Sequence, residues 1–160
     1  MGALIQAQVR CMVAGGLAVN AHGYLRFTRD VDLVVDLASE NMTAACVILG
    51  KLGYKPMAAV SIEDIADATR REVLVKEKNA TVIQFWSDRF PDQPVDIFLT
   101  FDFDFAAEYA RAPKKELQGI GAVTYLSLET LITMKKTAGR EQDLADIAHL
   151  ERIAGRKVLP

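Results

Sequence analysis

The pattern of apolar and polar residues predicts a mixture of helices and strands in the first half of the chain. Residues 3–14 are typical of the end of a helix that runs into a Gly-Gly turn, and residues 17–24 suit a second, short helix. Residues 30–36, DVDLVVD, alternate and are rich in Val, which favours a strand. Residues 39–54 keep a helical period from Ser39, a candidate N-cap, to Gly53, where the helix ends.

The second half continues this mixture. Ser61 and Asp64 predict a capping box at the start of a brief helix. Three strand-like runs follow, REVLVKE, ATVIQFW and PVDIFLT, with Asn79-Ala80 as a hairpin turn between the first two. The segment FDFDFAAEYARA turns helical near Ala106, AVTYLS is a short strand, and two closing helices are separated near Gly139. The lack of strict strand–helix alternation predicts an α+β fold with one mixed β-sheet flanked by helices.

Composition narrows the class of protein. The chain has 160 residues, 51% of them apolar, and a net charge of −2, which favour one folded domain without a strongly basic nucleic-acid surface. We expect a single domain over residues 1–160, with a core of about 1–125 and a C-terminal helical segment of about 126–160. Cys11 and Cys46 are expected to be buried and reduced in a cytoplasmic protein. No run approaches the roughly 18 apolar residues of a membrane helix, and we expect no secretion signal from the pattern of the first residues.

Three carboxylates are the first candidates for chemistry. Asp30 and Asp32 are two residues apart, so in a strand they point to the same face. Asp96 lies within the apolar run PVDIFL, where a carboxylate is costly unless it is paired or binds a metal. On neighbouring strands the three would form the protein part of a two-metal phosphoryl-transfer site, with Mg²⁺ as the suitable ion. The alternative for Asp30 and Asp32 is a pair of exposed charges at the start of a strand.

Gly15 and Gly16 are candidates for phosphate binding. At a helix N-terminus, two glycines let an anion approach free N–H groups without a Cβ in the way. Arg26 could hold an anion through two hydrogen bonds, or it could pair with an Asp. Thr28 could serve the same site or be an ordinary strand residue, and the glycines could form a simple turn.

Together these residues resemble a known superfamily. The pattern GGLAVNAHG..R.T.DVD with a later Asp in an apolar strand resembles the nucleotidyltransferases with the DNA polymerase β-like core, over about residues 12–150. The resemblance is nearest to small nucleotidyltransferase-like proteins that include the AbiEii-type toxins of toxin–antitoxin systems. It implies that Gly15 and Gly16 form the Gly-Gly element, and it assigns the metal-binding carboxylates by position as Asp30, Asp32 and Asp96.

The closing helices extend the resemblance. The family carries a helical Lys followed by an [Arg/Lys]-x-x-Asp element, which here matches Lys135 or Lys136, then Arg140 and Asp143. The alternative is a solvated, salt-bridged helix face. The contributions of three further acidic residues stay open: Asp102, Asp104 and Asp146. Asp102 and Asp104 are interpreted as residues of a loop or of the start of a helix.

The resemblance implies an enzyme that moves an NMP from an NTP to an acceptor hydroxyl with two Mg²⁺ ions. The nucleotide-binding residues that it implies, by number, are Gly15, Gly16, Arg26, Thr28, Lys135, Lys136, Arg140 and Asp143. RNA, including tRNA, or a protein is the expected acceptor, and an antitoxin or HEPN-type protein is the expected partner. A homo-oligomer is the further expectation. The alternatives are a non-catalytic nucleotide- or partner-binding module with the same fold, and an antibiotic nucleotidyltransferase.

Overall fold

The structure is a computed structural model and describes residues 1–156. The helices in that range are α1 (Gly2–Gln6), α2 (Gly15–Ala21), α3 (Ser39–Lys51), α4 (Ile62–Ala66), α5 (Ala68–Lys78), α6 (Phe105–Arg111), α7 (Leu128–Ala138) and α8 (Glu141–Arg156). The strands are β1 (Cys11–Val13), β2 (Val31–Val35), β3 (Lys55–Pro56), β4 (Val82–Trp86), β5 (Val95–Phe98), β6 (Lys114–Leu117) and β7 (Gly121–Thr124).

Five strands form one mixed sheet, in the order β1-β2-β5-β4-β3. The pairing of β2 with β5 is parallel, and the other pairings in this sheet are antiparallel. The strands β6 and β7 form a separate antiparallel hairpin, which a bridge between Val13 and Tyr125 links to β1. The predicted α+β fold with one mixed sheet is therefore confirmed.

The register of the sheet brings chemistry-bearing residues together. Asp32 on β2 is the direct partner of Asp96 on β5, and Asp96 is in turn opposite Gln84 on β4. Partners in adjacent strands point to the same face of a sheet, so these three side chains are neighbours. The central strands thus place two carboxylates side by side.

The closing helices contribute to the core. Leu131 of α7 and Leu150 of α8 are at most 1% exposed and belong to the same apolar cluster as Met12 and Val34 of the sheet. The predicted division into a core and a C-terminal segment stays a prediction, and residues 157–160 of that segment lie outside the described residues. None of the described helices is long and apolar enough to span a membrane.

Two predicted elements are wrong near the start of the chain and in its middle. The helix expected over residues 3–14 ends at Gln6, because Cys11–Val13 are buried and pair with β2. The run REVLVKE lies in α5 and not in a strand, because Asp67 caps the helix and tertiary packing buries Leu74. Asn79 accordingly ends α5 in a left-handed conformation (φ 51°) and does not form a hairpin turn.

Other local predictions are confirmed. The capping box of Ser61 and Asp64 is complete at α4. The helix after Ser39 is present, although Ala38 is its N-cap and makes no side-chain cap. Cys11 and Cys46 are buried and free. The strand β6 had no counterpart in the pattern, because its residues, KKEL, are mostly exposed on a hairpin outside the main sheet.

Candidate active site

Gly15 and Asp32 lie so close together that only glycine fits at position 15. Gly15 begins α2 with φ +54°, and a Cβ placed on it would lie 1.8 Å from Oδ2 of Asp32. The amide of Ala14 also donates to the backbone carbonyl of Asp32 at 2.8 Å. The predicted position of the glycine pair at a helix N-terminus is confirmed, and the structure adds that Gly15 makes room for the carboxylate.

Gly16 serves a different neighbour. A Cβ there would lie 2.6 Å from Oγ1 of Thr28 and 3.0 Å from Nη1 of Arg26. The second glycine therefore lets the loop between α2 and β2 lie directly on the start of the helix. This contact brings Thr28 and Arg26 beside the glycine pair.

The negative charges of Asp32 and Asp96 are only partly balanced by their neighbours. Burial raises the pKa of Asp32 to about 6, and the charges of Asp96 and Asp30 add to that rise, while Arg140 and Lys135 oppose it. Burial also raises the pKa of Asp96, although the amide of Gln84 donates to its Oδ1 at 2.9 Å and opposes the rise. Two carboxylates in this state favour a cation between them.

Asp30 is placed differently from the other two. The strand begins at Val31, whose amide donates to the carbonyl of Pro94, so Asp30 precedes it and is exposed. Its charge still raises the pKa of Asp32 and of Asp96. Within residues 1–156, however, no three Asp, Glu, His or Cys side chains are gathered so that they could hold a metal ion. Asp32 and Asp96 fit a Mg²⁺ ion by donor type and unbalanced charge, and the third ligand stays a prediction.

These carboxylates line a cavity of about 360 Å³. The predicted site residues on its wall are Gly15, Asp32, Asp96, Lys135, Arg140 and Asp143. The remaining predicted residues are not on that wall, namely Gly16, Arg26, Thr28, Asp30 and Lys136. Lys136 is exposed, pairs with Glu151 and lines a different depression, so of the two candidate lysines it is Lys135 that faces the carboxylates.

The rest of the wall is largely apolar and was not predicted. It comprises Ala14, Thr81, Val82, Phe98, Leu131, Met134 and Ala138. Phe98 lies two residues beyond Asp96 on the same strand and Val82 is its direct partner on β4, so both share the face of the carboxylate. The alternation of β5 alone would have identified Phe98. The residues from α7 could be assigned only once the packing of that helix was known.

A chain of ion pairs borders the cavity. Lys135 donates to Asp143 at 2.9 Å and lies 2.7 Å from Asp146, and Arg140 binds Asp143 at 2.8 Å. Arg26 binds both oxygens of Asp146, at 2.8 and 2.9 Å. Burial alone would raise the pKa of Asp143 and of Asp146, but these bonds outweigh it and hold both pKa values below the usual range. Of the alternatives for Arg26, the structure thus contains the pairing with an Asp.

The other two acidic candidates lie outside this cavity. Asp104 is the N-cap of α6 and accepts from the amide of Ala107, as expected for a residue at the start of a helix. Asp102 lies in the preceding loop and is exposed.

Solved structures with the same fold are known. The chain is similar to the lincosamide antibiotic adenylyltransferase LnuA, in a lincomycin-bound crystal structure, with a TM-score of 0.61 and 14% identity over 94% of this chain and 90% of that one. It is also similar to ANT(2'')-Ia in complex with adenylyl-2''-tobramycin, with a TM-score of 0.58 and 17% identity over 98% and 84% of the two chains. The solution structure of the antibiotic-resistance factor ANT(2'')-Ia gives 0.55 and 18%, over 98% and 81%.

These likenesses show the fold, which is that of the polymerase β-like nucleotidyltransferases, and confirm the predicted fold class. None of the three structures is an AbiEii-type toxin, so the nearness to that group stays a prediction. No protein-family model matches the chain, and no match was found among curated proteins.

Proposed function

We propose that the chain is a Mg²⁺-dependent nucleotidyltransferase that moves an NMP from an NTP to an acceptor hydroxyl. The observation that carries the proposal is the pair Asp32 and Asp96, adjacent in the sheet register, on the wall of a cavity that also presents Lys135 and Arg140. Negative and positive groups around one cavity suit a metal–triphosphate complex. The nucleotidyltransferase fold supports the same reaction class.

In the proposed reaction the acceptor oxygen forms a bond to the α-phosphorus of the NTP. The bond from that phosphorus to the oxygen bridging to the β-phosphate breaks, pyrophosphate leaves, and the hydroxyl proton is released. Mg²⁺ bound by Asp32 and Asp96 would neutralise charge on the triphosphate and favour ionisation of the acceptor hydroxyl. Asp30 is the predicted additional ligand.

Asp96 is the proposed acceptor of the hydroxyl proton. Gln84 holds its Oδ1 through a hydrogen bond of 2.9 Å, which fixes the orientation of the carboxylate. In the metal-free protein, burial raises the pKa of Asp96. Lys135 and Arg140 supply positive charge for the phosphates from the neighbouring wall.

We propose a small hydroxylated molecule as the acceptor. A cavity of about 360 Å³ with an apolar side at Val82, Phe98 and Met134 suits the body of such a molecule. The similar structures are described with lincomycin and with adenylyl-2''-tobramycin, which favours the antibiotic alternative of the sequence analysis. RNA or protein acceptors, with a role in a toxin–antitoxin pair, remain the competing proposal.

Incubation with each α-labelled NTP, Mg²⁺ and one acceptor at a time tests the reaction and the acceptor class. The acceptors are lincomycin, tobramycin, total RNA and a mixture of bacterial proteins. We expect labelled product from a small acceptor, loss of product in Asp32→Asn and in Asp30→Asn, and full activity in Asp102→Asn. If only RNA or only protein became labelled, the acceptor would belong to that class and not to the small molecules. Calorimetric binding of Mg²⁺-NTP without transfer to any acceptor would favour the non-catalytic module.

A further inference from the structure

Five charged side chains form a cluster that links α7, α8 and the loop before β2. We call it the ion cluster, and its members are Arg26, Lys135, Arg140, Asp143 and Asp146. Three cations and two carboxylates leave it with a net positive charge. Its net positive charge therefore lies near the two negative carboxylates of Asp32 and Asp96, which we call the acidic pair.

Asp146 is the buried centre of the ion cluster. Its side chain is 0% exposed and does not line the cavity. Arg26 donates to both of its carboxylate oxygens, at 2.8 and 2.9 Å. The ammonium of Lys135 lies 2.7 Å from Oδ2, and the amide of Gln142 donates to Oδ1 at 3.2 Å. With its acceptor positions filled by the protein, Asp146 acts on any ligand only through its partners.

Lys135 is the partner that faces the cavity. An ammonium group has three N–H donors. Two of them are directed to Asp143 and Asp146, at 2.9 and 2.7 Å, and within residues 1–156 the third has no protein partner. Because the side chain is only 6% exposed, two fixed bonds determine where the third N–H points.

We propose that Asp146 is a positioning residue that, together with Asp143, aims the free N–H of Lys135 at the phosphates of the bound nucleotide. The inference rests on the proposed function, because it concerns the nucleotide of that same site. Of the two roles that the sequence left open for Arg26, it assigns the pairing with an Asp and not the binding of the phosphates. The guanidinium of Arg26 donates hydrogen bonds to Asp146 and, at 3.1 Å, to the carbonyl of Phe27. These bonds anchor the loop 22–30 to α8.

A set of four variants separates positioning from folding. Asp146→Asn leaves Arg26 without its charge partner in a buried place and can lower stability for that reason alone. The double variant Arg26→Met/Asp146→Asn removes one cation and one anion, so it keeps the charge balance. Arg26→Met alone shows what the loss of the arginine does while Asp146 still holds Lys135. Glu151→Gln breaks an exposed ion pair between α7 and α8 outside the cavity and is the matched control.

The measurements are the unfolding temperature, the Kd for each Mg²⁺-NTP by calorimetry, and KM and kcat in the transfer assay. We expect the double variant to unfold cooperatively and to bind the NTP about tenfold more weakly, the cost of one misdirected charged hydrogen bond. Its KM should rise in proportion and its kcat should change less. Arg26→Met should lower the unfolding temperature and raise Kd less than about threefold, and Glu151→Gln should leave Kd unchanged.

The outcomes that overturn the inference are distinct. Equal Kd values in Arg26→Met and in the double variant would show that Asp146 does not direct Lys135. If Arg26→Met alone weakened NTP binding tenfold, Arg26 would be a phosphate-binding residue and the positioning role of Asp146 would be wrong. Wild-type protein that binds no NTP would overturn both this inference and the nucleotide site of the proposed function. Binding without transfer to any acceptor would overturn the proposed reaction and leave the inference standing.

Discussion

At the scale of residues, the contact between Gly15 and Asp32 joins a backbone requirement to a chemical one. The chain turns into α2 with a positive φ at Gly15, and the carboxylate of Asp32 occupies the space of a Cβ. The glycine thus has a reason to be there before any ligand binds.

Gly15→Ala should disturb the site more than a surface glycine would. The positive φ costs about 1–2 kcal/mol for an L-residue, and the new methyl group would also displace Asp32. We expect a lower free energy of unfolding in urea and loss of transfer activity. Gly50→Ala in α3 is the control, because nothing lies within 4 Å of its Cβ position and helix propensity favours Ala by about 0.5–1 kcal/mol. Unchanged activity in Gly15→Ala would contradict the role of the contact.

Asp32→Asn should separate function from stability. The substitution removes one of two repelling carboxylates from a buried place, so the metal-free protein should keep or raise its unfolding temperature. Transfer should fall below detection, because the substitution removes one of the two proposed Mg²⁺ ligands. Differential scanning calorimetry without Mg²⁺ and the labelled transfer assay measure the two effects. A marked loss of stability would mean that Asp32 is a structural residue.

Sequence reasoning found the acidic residues and could not assign all of their partners. Asp96 was identified because a carboxylate inside an apolar strand needs a partner, and its actual neighbours are Asp32 and Gln84. The choice between Lys135 and Lys136 depends on the rotation of α7 about its axis. Two adjacent lysines on a helix point about 100° apart, and only tertiary packing decides which one is turned inward.

At the scale of elements, Glu108 ties α6 to the start of α7. Its side chain is 2% exposed and accepts from the amide of Ser127 at 2.7 Å, from Thr130 Oγ1 at 2.8 Å and from Arg111 Nε at 2.8 Å. Burial alone would raise the pKa of Glu108, but these hydrogen bonds outweigh it and lower the pKa. The ionised carboxylate is thus part of the contact between the two helices.

Acid should weaken this contact. Because the pKa of Glu108 is lower in the folded state, its contribution is present above the unfolded value of 4.5 and is lost as the pH falls through the folded value. We expect Glu108→Gln to cost about 1–3 kcal/mol at neutral pH, with a difference from wild type that shrinks as the pH falls below the unfolded value of 4.5. Urea unfolding at several pH values measures this. Glu129→Gln removes an exposed partner of Arg111 and should cost little at any pH.

The two mispredicted elements have the same physical origin. The runs around Cys11 and around Val73 are short, and short apolar runs do not distinguish a helix from a strand. Cys11–Val13 became a strand because β2 offers an edge to pair with, and α5 became a helix because Asp67 caps it. Longer or clearly periodic segments, such as α3, α7 and α8, were predicted correctly. The missing information was which partner each short run would find.

At the scale of the whole molecule, α7 and α8 share one core with the sheet. Leu150 is 0% exposed, whereas Leu144 on the same helix is 62% exposed. Leu150→Ala should cost about 2–5 kcal/mol and lower a single cooperative transition, and Leu144→Ala should cost less than about 0.5 kcal/mol. Thermal unfolding followed by far-ultraviolet circular dichroism tests this. Two separate transitions in Leu150→Ala would contradict the predicted single domain.

The parallel pairing of β2 with β5 also has a kinetic consequence. Its partners Asp32 and Asp96 are 64 positions apart, and α3, α4, α5, β3 and β4 lie between them. Closing so long a loop is entropically costly and slows pairing of this kind. In stopped-flow refolding, capture of a fluorescent nucleotide should therefore recover no earlier than the slowest phase of tryptophan fluorescence, and earlier capture would contradict this. A chain whose synthesis has not reached β5 lacks Asp96, so under the proposed function it cannot bind nucleotide at this site.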